Sequence, residues 1–254
     1  MKKEVVYFVS DMHFGIPNYY ASLKREKLFV QWLERISQDA TQLFIMGDMF
    51  DFWFEWKHVV PKGYIRLLGK LAEIADKGIS IHIFIGNHDM WLFDYFEKEL
   101  HAKIHRKNEI SKIENSFLYL SHGDGLGPGD LSYKFIKNLF RNSIAQWLYA
   151  RLHPNFSTGL ANYFSKRSRR ANTKKTEANK LYEIKLTDAQ IEHAKKILEQ
   201  QHIDYFIFGH QHTPRQVEIN EKTTLFNIGN WFHDFSYLRF ANDKIEACTF
   251  KNKN

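Results

Sequence analysis

Residues 83–93 read IFIGNHDMWLF, and the fold turns on how they are read. Ile83, Phe84 and Ile85 are the end of an apolar run that reads as a buried strand, and Gly86 stops it. An amide, an imidazole and a carboxylate follow in succession, Asn87, His88 and Asp89, before apolar sequence resumes at Met90. A core strand that ends in polar, metal-seeking groups points its tip at a site.

Other strand-like runs end the same way. VVYFV (5–9) runs into Ser10-Asp11-Met12-His13, and LFIM (43–46) into Gly47-Asp48-Met49-Phe50-Asp51. FLYLS (117–121) ends in His122-Gly123-Asp124, and YFIF (205–208) in Gly209-His210-Gln211-His212. A lone Asp-x-His occurs often by chance; five such tips in order do not. Between the first three strands (the third being 79–85) lie helix-period segments, Phe29-Trp32-Leu33-Ile36 and Leu67-Leu68-Leu71-Ile74-Ala75. Ile191, Ala194, Ile197 and Leu198 mark another helix, and TTLFNI (223–228) and FSYLRF read as further sheet. Strand alternating with helix gives βαβ units, an α/β class, and in open α/β sheets ligands collect beyond the carboxyl ends of the strands.

Donor chemistry narrows the ion. Carboxylates, imidazoles and one amide, with Cys248 the single cysteine, disfavour a structural zinc site and favour borderline-hard divalent ions. The seven candidate ligands, Asp11, His13, Asp48, Asn87, His122, His210 and His212, exceed the needs of one ion and fit two that share a carboxylate. Two-metal sites suit in-line displacement at phosphorus.

The interval from about 130 to 185 differs. It reads as helical, aromatic and basic, with Lys134, Lys137 and Arg141 on one helical face. From Leu131 to Thr176 there are ten Lys or Arg and no Asp or Glu, in a chain of net charge +7. That block is either a solvated face or the footprint of an anionic partner, and packing accounts for most of its aromatics. The organisation expected is a core of residues 1–129 and 186–254 with residues 130–185 as an inserted helical cap over the active site. Asp11 interrupts the first apolar run too early for a signal-peptide core, and no run is long enough for a membrane span, so the expectation is a soluble, cytoplasmic chain.

The ordered set Asp-x-His, Gly-Asp-x-x-Asp, Gly-Asn-His-Asp, His-Gly-Asp and Gly-His-x-His, over residues 11 to 212, resembles the calcineurin-like metallophosphoesterases. The resemblance implies a four-layer αββα sandwich with an inserted helical cap, and a dinuclear centre of two divalent metal ions, most often Mn2+. It also implies that Asp11, His13, Asp48 and His212 hold one ion, that Asp48 bridges, and that Asn87, His122 and His210 complete the second site. His88 matches the histidine that contacts the scissile phosphate, Asp89 would orient it, and Asp51 and Asp124 would support the ligands. Within that family the chain looks most like the UDP-2,3-diacylglucosamine pyrophosphohydrolases of lipid A biosynthesis, on Gly-Asp-Met-Phe-Asp-Phe-Trp (47–53), on residues 122–130 and on the basic insert. That likeness implies Asn87, His88, Asp130, Thr173, Lys180 and His210 as substrate contacts. It further implies a lipid-linked nucleotide sugar as substrate and peripheral association with the anionic inner membrane rather than nucleic acid. Two departures stand out: Glu177 replaces an Asn of the cap segment, and His88 stands where that subfamily often has Arg.

Overall fold

The computed structural model describes residues 3–126, 139–161, 163 and 176–251, with side chains omitted for 176–186. The chain divides into two compact units, Met1–Gly123 with Ala194–Asn254, and Asp124–His193.

In the first unit the apolar strands take both faces of a sheet. β1 (Val5–Val9), β2 (Gln42–Ile45), β3 (Ser80–Phe84) and β4 (Lys103–His105) run parallel. β10 (Ser236–Ala241) and β11 (Lys244–Thr249) extend this sheet antiparallel, giving the order β11-β10-β1-β2-β3-β4. The second sheet, β5-β6-β7-β9-β8, consists of Glu109–Ile113, Ser116–Ser121, Tyr205–Phe208, Thr223–Asn227 and Arg215–Asn220.

Successive side chains of a strand point to opposite faces, and each interior strand fills two cores. Val6, Phe8, Phe44, Met46 and Phe84 meet Leu118, Leu120, Ile207 and Phe226 between the sheets. Tyr7, Val9, Leu43, Ile45 and Ile83 instead meet α1 (Tyr19–Ile36) and α2 (Ile65–Asp76) through Phe29, Trp32, Leu33, Leu67 and Leu71. Burial on both faces is why these strands read as unbroken apolar runs. The outer face of the second sheet also buries Tyr119, Phe206, Phe208 and Leu225. The architecture is the α/β sandwich of two sheets and helices anticipated from the motifs.

In the second unit, the Asn142 side chain caps the helix Ser143–Ala150 by accepting from the Ile144 and Ala145 N–H groups. This helix has no buried residue, and Phe140, Ile144, Trp147, Leu148, Phe156 and Tyr163 are exposed. Among the described aromatics of the insert Tyr149 is half-buried, its hydroxyl donating to the Ser157 carbonyl at 2.8 Å. Arg151 stacks its guanidinium over Trp147, 4.5 Å from the ring centroid. Lys134 and Lys137, two of the three residues of the expected basic face, lie outside the described residues, as do Asp130 and Thr173. Lys180 falls within the long helix Thr176–Leu198, its side chain not described.

Candidate metal centre

The strand tips meet at the carboxyl end of the first unit's parallel strands. Beyond β1 and β2 the two loops stay laced together, Asp11 N–H donating to Gly47 O at 3.1 Å and His13 N–H to Asp48 O at 3.0 Å. Asp11, His13, Asp48 and His210 all hold positive φ, between 45° and 66°. Non-glycine residues pay for that conformation, and such strain concentrates at functional sites. Gly86 has the opposite requirement: a Cβ there would fall on Asp48 Oδ1 and on the Asp48 backbone nitrogen, so only glycine admits the loop.

One cluster gathers Asp11, His13 and His212. His13 Nε2 and His212 Nε2 face each other at 3.2 Å, and Asp11 Oδ1 lies 3.2 Å from His212 Nε2 and 3.6 Å from His13 Nε2. That Oδ1 is fully buried and accepts no hydrogen bond. Burial opposes charge on Asp11, but His13 and His212 outweigh it and hold its carboxyl well below the usual range.

A second cluster gathers Asp48, His122 and His210, with Asn87 at its middle. Asn87 Oδ1 is 3.2 Å from His122 Nε2 and 2.9 Å from His210 Nδ1. His122 Nδ1–H donates to the Met46 carbonyl at 2.8 Å, which leaves Nε2 as a lone pair. With the ring neutral and Nδ1 protonated, Nε2 and the amide oxygen are two acceptors that converge. Such a pair is repulsive unless a cation lies there, and the orphaned Asp11 oxygen poses the same demand in the first cluster. The donor set therefore fits divalent ions. Asp48 lies between the clusters, its Oδ2 3.8 Å from His13 Nε2 and 3.4 Å from His122 Nε2. Burial would raise its pKa; His122, His88 and His13 pull it far below the carboxylate range.

His88 stands beside both. Its backbone N–H donates to Asp48 Oδ1 at 2.8 Å, and its ring meets the His13 ring edge-on at 4.8 Å. With Nδ1 protonated it donates to the Asp51 carbonyl at 3.1 Å, the Asp51 carboxylate being 3.6 Å from the same nitrogen.

The Asp89 carboxylate faces backbone, not the His88 ring. It accepts from the backbone N–H groups of Gly86 (2.8 Å), Met49 (2.7 Å), Asp48 (3.3 Å) and Phe50 (3.3 Å). Fully buried, it is a staple between the loop after β2 and the loop after β3, and the residue that faces His88 Nδ1 is Asp51. Burial, then the charge of Asp48, push the Asp89 pKa up to about 6. Asp124 is half-buried in the turn after Gly123.

Arg25 is a support that the motifs do not announce. Buried in α1, it donates through Nη2 to the carbonyls of His13 (3.1 Å) and Ile16 and stacks over Phe232 at 4.2 Å. Its signal lay in the helix periodicity, because Ser22, Arg25, Glu26, Phe29, Trp32, Leu33 and Ile36 form one buried stripe that includes two charges. Glu26 is accounted for separately: it accepts from the Arg66 and Leu67 N–H groups and caps α2.

Comparison with known proteins identifies the family. A family model described as calcineurin-like phosphoesterase matches residues 5–214. The chain is 37% identical over 244 residues to the UDP-2,3-diacylglucosamine hydrolase of Porphyromonas gingivalis, covering 91% of this chain and 92% of that protein. It is 24% identical to the protein of the same name in Shewanella baltica, covering 94% of each. Among solved structures it is similar to the Escherichia coli phosphoesterase Yfce, at 18% identity and a TM-score of 0.47 over 96% of this chain and 92% of that one.

Proposed function

The chain belongs to the calcineurin-like phosphoesterase family, and from that premise we propose a metal-dependent hydrolase that cleaves the pyrophosphate bond of UDP-2,3-diacylglucosamine to UMP and 2,3-diacylglucosamine 1-phosphate. What carries the substrate is the likeness to the Porphyromonas gingivalis hydrolase over nearly the full length of both chains. The chemistry is carried by the paired donor clusters on either side of Asp48.

In this reading Asp11, His13 and His212 hold one ion, Asn87, His122 and His210 a second, and Asp48 both; the ions are manganese. When bound, such a pair supplies charge neutralisation at phosphoryl oxygens and acidifies a water for in-line attack. The protein's own work is positional. His122 is fixed in one tautomer by Met46, and Asp51 holds His88 Nδ1, leaving Nε2 for a substrate phosphoryl oxygen or the leaving group. Asn87, His88 and His210 contact the diphosphate. The insert, residues 130–185, is assigned as the cap, with Asp130 on the substrate head group and Thr173 and Lys180 as further substrate contacts. No described helix is long and apolar enough to cross a membrane. Access to a diacylated substrate is assigned, on the lipid nature of that substrate, to peripheral association with the anionic inner membrane, on its cytoplasmic face. Nucleic acid is not the expected partner.

The test is product analysis. Purified protein with Mn2+ converts the UDP-lipid to UMP, chelation stops it, and the deacylated analogue is a poorer substrate. Hydrolysis of aryl phosphodiesters with the UDP-lipid left intact overturns the assignment.

A further inference from the structure

Several of the most exposed apolar side chains of the first unit lie beside the candidate centre. Tyr19 is 66% exposed, Tyr20 80%, Ile65 76% and Val59 49%. Tyr19 and Tyr20 open α1 and pack edge to face at 5.5 Å, while Ile65 opens α2 and Val59 lies on the loop leading into it.

These segments are neighbours. Tyr64 Oη donates to the Phe14 carbonyl at 3.3 Å, and Glu26 accepts from the Arg66 N–H at 3.1 Å. Gly15 N–H donates to Ser22 Oγ at 2.7 Å, and Tyr64 Oη lies against Gly15, so the first turns of α1 and the residue before α2 meet at residues 14–15. The charges around the patch have one sign. Lys24, Lys27, Lys57, Lys62 and Arg66 are exposed, whereas Glu26, the sole carboxylate in residues 14–33, and Glu55 are buried with partners. Both segments follow the carboxyl ends of strands that carry Asp11, His13, Asp48 and Asp51, so the patch and the donor clusters share one edge of the sheet.

Tyrosines and an isoleucine ringed by lysines suit the headgroup layer of an anionic bilayer, where amphipathic rings sit between water and acyl chains and basic groups meet lipid charge. We propose that this α1–α2 rim is a membrane-docking surface of the core, seated on anionic phospholipid independently of the basic insert. The proposal rests on the reading of a lipid substrate for its purpose, and on the patch alone for its existence.

The experiment compares the full chain with a Tyr19→Ser/Tyr20→Ser/Ile65→Ser variant and a Lys57→Glu/Lys62→Glu variant by co-sedimentation with vesicles of phosphatidylglycerol and phosphatidylethanolamine. The parent partitions onto these vesicles and not onto neutral phosphatidylcholine. Each variant partitions about tenfold less, with an unchanged melting temperature and unchanged turnover of UDP-lipid dispersed in detergent. Parent-like vesicle binding by both variants overturns the proposal, as does a parent that hydrolyses the UDP-lipid but ignores anionic vesicles. Vesicle binding lost in the variants of a protein that leaves the UDP-lipid intact retains the docking surface and sinks the substrate assignment instead. A parent that is dimeric in light scattering, with variants that turn monomeric yet keep vesicle binding, makes the rim a subunit interface and also overturns it.

Discussion

Asp89→Asn separates two roles for the carboxylate after His88. In the structure its oxygens accept from four backbone N–H groups at 2.7 to 3.3 Å, two on each oxygen. An asparagine keeps one acceptor oxygen and turns an NH2 group toward the other pair of donors. Losing two bonds to a charged acceptor costs about 3–6 kcal/mol. Removing a buried charge that repels Asp48, the same conflict that pushes the Asp89 pKa up to about 6, returns roughly half of that. The net loss is ~2–3 kcal/mol, or a fall of ~5–10 °C in Tm for a chain of this size. The assay is thermal unfolding of chelated protein at pH 8, where the parent carboxylate is ionised. A variant that melts within about 2 °C of the parent but loses turnover would contradict the staple and restore Asp89 as the group that orients His88.

Further expectations concern groups around the centre. His88→Gln lowers kcat about 10²–10⁴-fold with metal content unchanged, while Asp51→Asn lowers it less, also with metal retained. Metal loss in Asp51→Asn would instead make Asp51 a ligand, a role its proximity to His13 and His88 permits. Arg25→Lys keeps the charge but loses the guanidinium's reach to the carbonyls of residues 13 and 16. Affinity for divalent ions then falls about tenfold by calorimetry with Tm little changed, and an unchanged affinity would remove Arg25 from the site's support. Distant from the centre, His82 is stacked on Phe44 at 4.2 Å, with Nδ1 3.0 Å from His105 Nε2. Burial, with His105 and Lys103 adding to it, pulls its pKa from 6.5 to about 4. The folded state thus resists protonation, so this contribution is present above pH 6.5 and is lost as pH falls toward 4. For a partly exposed ring that amounts to on the order of 1–2 kcal/mol. His82→Phe flattens the stability profile of chelated protein over this range, and an equally steep profile in the variant would refute the cause.

The interior of the fold was legible because double burial leaves an apolar run with an abrupt polar end. What was not legible follows a rule. β4, β5, β8 and β11, none of them singled out in the sequence, are the edges of the two sheets. Arg215–Asn220 alternates between half-buried and exposed, Lys244–Thr249 has no buried residue, and both carry the charges that blunt an edge. At the centre, donor types and their order along the chain were visible, but side-chain direction was not. His88 and Asp89 are neighbours in sequence, yet one ring faces Asp51 while the other carboxylate turns into the backbone of the adjacent loop. Arg25 was hidden because a cation on an otherwise apolar helix stripe looks like noise until the carbonyls it serves are located.

The central claim is that strand tips remote in sequence assemble two adjoining cation sites around one carboxylate. Anomalous diffraction from crystals soaked in Mn2+ tests it most directly. The account predicts two peaks per chain, one among Asp11, His13 and His212 and one among Asn87, His122 and His210, with Asp48 touching both. One peak that leaves Asp48 unshared, or none at saturating Mn2+, would contradict it.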